Sequence, residues 1–263
     1  MLKQLLFITF ILIVACVLVY PLQRYFIYLP SKEKPTRSQF GAEDMQEIRL
    51  HTADGLDLYA WYKPAQGHKP VILYLHGNAG HIGHRMRLVR QFLTSGFGVL
   101  MLEYRGYGGN PGKPSELGLY ADGRTALQYL QAQKPESIVL FGESLGTGIA
   151  TQLAIEFPIC ALVLQAPYTS LTTVARYHYP WVPIFLMDKF DSLARIHHIP
   201  VPLLILHGQL DKVVPFSQGK ALYEKAPHPK EFRAFPDRGH HDLWDESYAY
   251  TIEKFIMSHC GER

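Results

Sequence analysis

Gly142-Glu143-Ser144-Leu145-Gly146 stands between two stretches of different periodicity. Ahead of it, Ser137-Ile138-Val139-Leu140-Phe141 is a short apolar, β-branched run that predicts a buried parallel strand. Behind it, from Thr147 to Phe157, the apolar residues Ile149, Leu153, Ala154 and Phe157 recur at helical spacing. Strand, sharp turn and helix, with a serine on the turn, is the geometry that lifts a serine hydroxyl to the end of a sheet. The flanking glycines fit a strand and a helix that meet too closely for a Cβ.

A serine hydroxyl is a weak nucleophile and needs a base, an orienting acid and donors for the developing oxyanion. Leu203-Leu204-Ile205-Leu206-His207-Gly208 reads as a strand ending in a glycine turn, which places Asp211 just past the strand's C-terminal end. Ligand sites of parallel sheets lie at that edge, so Asp211 is the expected acid. Asp188 and Asp191 fall in a segment between strands, and Asp237 precedes the base by too little chain to approach it from a separate strand. Lys230 to Phe235 predicts a last short strand and Leu243 onward a final helix, with Gly239-His240-His241 in the loop between them. Two adjacent histidines compete for the base. The reading takes His240, directly after Gly239, and keeps His241 as the competitor. His207 is expected to pack under the site, and His197, His198 and His228 to lie in loops. The amide of Leu145, after the nucleophile, is one expected oxyanion donor. The other is expected from Asn78, in the His76-Gly77-Asn78-Ala79-Gly80 turn after the strand Val71-Ile72-Leu73-Tyr74-Leu75.

Further strands are predicted at Met45 to Leu50, Leu56 to Tyr62, Gly98 to Tyr104 and Ala161 to Gln165. Helices are predicted at Arg85 to Thr94, Leu117 to Ala132 and Ser217 to Lys225. Such alternation means an α/β fold with a mostly parallel sheet and helices on both faces. Tyr168 to Ile199 is too long for a plain connection and is rich in aromatics. It is read as a small cap over Ser144, with Tyr168, Tyr177, Tyr179, Trp181 and Phe185 forming part of an apolar acyl pocket. The competing reading is an excursion that packs the end of the domain.

These residues resemble the α/β-hydrolase superfamily. Within it the chain is similar to the membrane-anchored abhydrolase-domain-containing serine hydrolases related to the fungal bud-emergence protein and to animal protein depalmitoylases. The resemblance runs from about Tyr25 to the C-terminus. It rests on the elbow and on Phe26-Ile27-Tyr28-Leu29-Pro30-Ser31, His76 to Gly80, and Tyr104-Arg105-Gly106-Tyr107-Gly108 with Gly112-Lys113-Pro114-Ser115-Glu116. Ala166-Pro167-Tyr168-Thr169-Ser170, Asp188-Lys189-Phe190-Asp191 and Val214-Pro215-Phe216 extend it. Glu103 stands where an aspartate is usual, Asn110 where a serine is common, and His241 where an asparagine usually follows the catalytic histidine. The resemblance implies hydrolysis of acyl esters or thioesters, on lipids or lipid-modified proteins, without metal or cofactor. An aminopeptidase-like amide hydrolase and a non-catalytic scaffold are the alternatives on the same fold.

Composition excludes other classes. The chain has 263 residues and a net charge of +3, with Lys and Arg scattered, which gives no footprint for nucleic acid. It has no Walker A sequence and no G-x-G-x-x-G after the first strand. His81-Ile82-Gly83-His84 matches a tRNA-synthetase signature without the partner motif, and no carboxylate or cysteine stands at metal-ligand spacing beside it. The three cysteines, Cys16, Cys160 and Cys260, have no paired spacing, which disfavours a disulfide framework and a Cys-rich zinc site.

Between Lys3 and Arg24 no charged residue occurs and Leu, Ile, Val and Phe dominate. That is about the 20 residues a helix needs to cross a bilayer. Tyr20, Tyr25, Phe26 and Tyr28 cluster at its far end as interfacial anchors do. Residues 1–24 are therefore expected to be a single membrane span, with 25–263 as the catalytic domain and a cap insertion at about 168–199. A cleaved signal peptide lacks its A-x-A site, and lipidation at Cys16 conflicts with the apolar run that continues past it. Arg24, Lys32, Lys34 and Arg37 would bias the catalytic domain toward the cytoplasm, although short tails override that bias.

Overall fold

The computed structural model describes Gln4, residues 22–182 and residues 185–261. Most of the expected membrane span, with Cys16, lies outside the described residues. Among the described residues no helix is long and apolar enough to cross a membrane.

An eight-stranded sheet organises the chain. In chain order the strands are β1 (Leu29–Pro30), β2 (Gln46–His51), β3 (Asp57–Lys63), β4 (Val71–Leu75), β5 (Ala79–Gly80), β6 (Gly98–Leu102), β7 (Ile138–Glu143), β8 (Ala161–Gln165), β9 (Leu203–Gly208) and β10 (Lys230–Phe235). The large sheet runs β10-β9-β8-β7-β4-β6-β3-β2, parallel throughout except for β3, which is antiparallel to both its neighbours. β1 and β5 form a separate two-stranded parallel ribbon. The helices are α1 (Gln23–Ile27), α2 (Met86–Thr94), α3 (Glu116–Ala132), α4 (Leu145–Glu156), α5 (Leu171–His178), α6 (Phe216–Lys225) and α7 (Glu246–Cys260).

The central strands read as unbroken apolar runs because both of their faces are covered. Along β4, Val71, Leu73 and Leu75 enter one core with Leu127, Ile149 and Leu153 of α3 and α4. Ile72 and Tyr74 enter the opposite core with Val89 and Phe92 of α2 and Ile252 and Ile256 of α7. Period-two alternation thus feeds both layers. The last helix begins later than sequence periodicity predicts, at Glu246, where Asp245 accepts a hydrogen bond from the Tyr248 amide at 2.8 Å and so caps it.

Cys160 and Cys260 form a disulfide across 100 residues, a cross-link that the sequence reading disfavoured. Spacing could not show it. Pairing requires nearby Cα atoms, and the fold brings the residue before β8 to within 5.8 Å of the end of α7.

Candidate active site

The tip of β7 passes directly into α4. Ser144, between them, has φ 49° and ψ −113°, a left-handed backbone that costs a non-glycine residue energy. Both flanking glycines are sterically required. A Cβ on Gly142 would lie 2.7 Å from the Gly146 carbonyl oxygen, and one on Gly146 would lie 2.0 Å from that of Leu75. The strained turn points the hydroxyl away from the sheet toward the loop after β10.

There the His240 Nε2 lies 3.0 Å from Ser144 Oγ, and the His240 Nδ1 lies 2.6 Å from Asp211 Oδ2. Three residues separated by 67 and 29 positions in the chain meet because β7, β9 and β10 all end at one edge of the sheet. The other Asp211 oxygen accepts the amides of Val213 and Val214, each at 2.8 Å. Burial alone would raise the Asp211 pKa. The contacts from His207 and His240 and the Val214 amide outweigh it and hold the carboxyl well below the usual carboxylate range. The acid is thus kept ionised and fixed in orientation.

His207 is fully buried beneath this pair, its Nε2 3.0 Å from the Val214 carbonyl and 3.4 Å from Asp211 Oδ2. His241 has no such place. It is exposed, and its ring meets His240 edge-on at 4.8 Å. The other acids are engaged elsewhere. Asp188 is bonded to Arg24 and Tyr28, the Asp191 carboxylate accepts the Ala194 amide, and Asp237 lies 3.7 Å from Arg238.

Leu145 opens α4, so its amide sits at the positive end of a helix. Asn78 is fastened on three sides. Its carbonyl accepts the Leu29 amide at 3.0 Å and the Tyr107 hydroxyl at 2.9 Å, and its side chain donates to the Ile27 carbonyl at 3.0 Å. Both residues line the same cavity as Ser144.

A buried ion pair joins the elbow to the Asn78 turn, and sequence reading missed it. Arg85 donates to Glu143, the residue before Ser144, at 3.1 and 3.2 Å, and to the carbonyl of Ala79 at 2.8 Å. Tyr74 completes the carboxylate with a 2.9 Å bond. Burial would raise the Glu143 pKa, but the Arg85 charge keeps it below the ordinary value. Of the unusual residues, Glu103 accepts the Ile82 amide, and Asn110 bridges the Tyr59 amide and the Glu103 carbonyl. Both occupy structural positions.

The cavity over Ser144 holds about 430 Å³ and is walled mainly by Phe26, Ile27, Tyr168, Leu171, Val174, Leu186 and Val214. Tyr168 and Tyr179 line it as expected, and the buried Tyr168 hydroxyl donates to the Leu145 carbonyl at 3.2 Å. Tyr177, Trp181 and Phe185 do not; they are 61, 79 and 75 % exposed and stand outside the wall. Tyr177 lies on the exposed face of α5, and Trp181 and Phe185 follow that helix in exposed chain. Gln23, Phe26 and Ile27 of α1 take part instead, a contribution whose only sequence signal was the Phe26-Ile27-Tyr28 motif. Among the described residues no group of His, Cys, Asp and Glu could hold a metal ion.

Comparison with known proteins agrees with this architecture. Residues 66–195 match the family described as serine aminopeptidase, S33. An uncharacterized protein of Mycobacterium tuberculosis is 40 % identical over 227 residues, covering 84 % of this chain and 81 % of that protein. The lysophosphatidylserine lipase ABHD12 of Danio rerio is 38 % identical over 194 residues, covering 65 % of this chain and 51 % of the lipase. The chain therefore spans about half the length of that relative. An esterase of Pyrococcus furiosus superposes with a TM-score of 0.74 at 21 % identity, over 89 % of this chain and 99 % of the esterase.

Proposed function

Because the chain belongs to the α/β-hydrolase superfamily, we propose that it is a membrane-tethered serine hydrolase that cleaves long acyl esters or thioesters. The observation that carries this reading is the Ser144–His240–Asp211 hydrogen-bonded series opening into an apolar cavity. His240 Nε2 takes the Ser144 proton as Oγ attacks the acyl carbonyl carbon. The amides of Leu145 and Asn78 hold the oxyanion, each such donor contributing roughly 3 kcal/mol to the transition state. The intermediate collapses with loss of the alcohol or thiol, which leaves with the proton from His240. Water, deprotonated by His240, then attacks the acyl-Ser144 ester, releasing the acid and restoring the serine. Asp211 holds the imidazole in orientation and stabilises its charged form throughout.

The wall supports an acyl substrate. A cavity of about 430 Å³ lies within the roughly 300–1,000 Å³ range of small-molecule sites. Among the described residues lining it there is no carboxylate to grip a free amino terminus. That favours an acyl chain over the peptide amine suggested by the aminopeptidase family name. The lipase name of the ABHD12 relatives supports a single-chain phospholipid ester as the class to try first. The uncharged run before Arg24 is assigned as the tether. The disulfide favours an oxidising compartment for the catalytic domain, against the cationic bias of residues 24–37.

The test is covalent labelling by a fluorophosphonate, followed by hydrolysis of p-nitrophenyl esters, thioesters and lysophospholipids of increasing acyl length. Labelling of the native chain and none of Ser144→Ala is expected, with turnover rising toward long acyl chains. Native protein that labels no better than a heat-denatured control would overturn the proposal.

A further inference from the structure

We infer that the rim of the catalytic cavity is a docking face for the surface of an anionic lipid bilayer, from which acyl chains pass directly into the site. This rests on the tethered-hydrolase reading above. Three observations carry it. The first is the rim's composition. Phe26, Tyr179 and Val182 belong to the cavity wall yet are 76, 57 and 44 % exposed. Trp181 and Phe185 stand beside them, more exposed still at 79 and 75 %. Large apolar side chains concentrated at one mouth mark a contact surface, and Trp and Tyr are the residues that settle at a membrane interface.

The second observation is connectivity. The uncharged apolar run reaches Pro21, and the chain next enters α1, which is clamped to the cap. Gln23 Nε2 donates to the Phe185 carbonyl at 2.8 Å, and its Oε1 accepts the Met187 amide at 3.0 Å. Arg24 pairs with the buried Asp188 at 2.8 Å. A membrane that holds the apolar run therefore lies within a few residues of the rim. α1 is short and bonded through Gln23 and Arg24, which leaves little slack to turn the mouth away.

Charge is the third. Arg176 and Lys189 line a groove beside Phe185, and among the described residues no carboxylate pairs with either side chain. The groove's one acid, Asp191, is occupied by the Ala194 amide. Exposed aromatics flanked by free cations match headgroup phosphates lying above acyl chains.

The full-length protein is reconstituted into phosphatidylcholine vesicles, with and without phosphatidylglycerol, in which the acyl chains carry bromine. Trp61 is buried in the sheet and Trp244 is held by Gln165, so Trp181 is the tryptophan that lipid bromine can reach. Bromine is expected to quench a component of the emission that disappears in Trp181→Phe. Trp181→Asp, and separately Arg176→Glu with Lys189→Glu, are expected to slow hydrolysis of vesicle-borne lysophospholipid roughly tenfold. Hydrolysis of soluble p-nitrophenyl butyrate should be unchanged in both. Protein that remains in the vesicles with Trp181 unquenched, or with Trp181→Asp as active on vesicle lipid as the native chain, would overturn the docking face alone. Protein that floats free of the vesicles would overturn the tether and this inference with it. Normal quenching without turnover of any ester would leave the docking face standing and remove the hydrolase reading.

Discussion

Arg24 donates from Nε and Nη2 to the two oxygens of Asp188 at 2.8 and 3.1 Å, joining the chain just past the apolar run to the far end of the cap. Tyr28 adds a third bond to the same carboxylate at 2.9 Å. The segment so fixed, between the apolar run and the sheet, also supplies Gln23, Phe26 and Ile27 to the cavity wall. A protein beginning at Leu22 is expected to hydrolyse soluble esters at the native rate. One beginning at Tyr28 lacks Phe26, Ile27 and the acceptor for the Asn78 side chain, and should lose most turnover. Steady-state kinetics on p-nitrophenyl butyrate distinguish the two, and equal rates would mean that α1 has no part in the site.

His240→Ala is expected to lower kcat by several orders of magnitude, roughly 10⁴-fold or more, and His241→Ala by less than about tenfold. Of the two, it is His240 that contacts both Ser144 and Asp211. The double variant Ser144→Ala with His240→Ala should be hardly worse than either alone, because the members act as a unit. A crippling His241→Ala would transfer the base to that residue.

Arg85→Met leaves Glu143 buried without its counter-charge and releases the Ala79 carbonyl. Breaking one half of a buried ion pair typically costs about 3–5 kcal/mol. Urea denaturation should show a loss of that order. Because the same guanidinium spans the elbow and the Asn78 turn, kcat should fall more than KM rises. A loss of stability with kcat intact would confine Arg85 to a structural part.

The Cys160–Cys260 bond closes a loop of 100 residues, for which chain entropy gives about 4–5 kcal/mol. It lies at the N-terminal end of β8, away from the strand ends that carry the site. Cys260→Ser is expected to lower the denaturation midpoint while leaving kcat on soluble esters within about twofold of native. Unchanged stability under reducing conditions would show that the bond is not formed in solution.

Asp245 caps α7 and is paired with Arg238 at 2.6 Å. Hydrogen bonds from Ser247 and the Tyr248 amide, with the Arg238 contact, lower its pKa to about 2. A depressed carboxyl stabilises the fold fully above its unfolded pKa of about 3.9 and loses that contribution as the pH falls through the folded value. Asp245→Ala should therefore cost about 1 kcal/mol at pH 7. The difference from native should shrink between about pH 4 and pH 2. Chemical denaturation at pH 7 and near pH 2.5 reads it directly.

Periodicity and turn chemistry were enough for the α/β architecture, because the central strands are buried on both faces and therefore read as unbroken apolar runs between helical stretches. They also placed Ser144, Asp211 and His240 past three strand ends, since a parallel sheet gathers its C-terminal loops along one edge. Local pattern further preferred His240 over its neighbour, and the hydrogen bonds of the folded chain favour the same residue. What sequence could not supply was contact between remote segments. The Cys160–Cys260 bond, the Arg85–Glu143 clamp and the entry of Phe26 and Ile27 into the cavity wall each join residues from 50 to more than 100 positions apart. Their distances are set by how the strands order and how the cap lies across them. The same reason divides the cap aromatics. Composition marked all five as apolar, but the folded cap sets Tyr168 and Tyr179 on the cavity and leaves Tyr177, Trp181 and Phe185 exposed outside its wall.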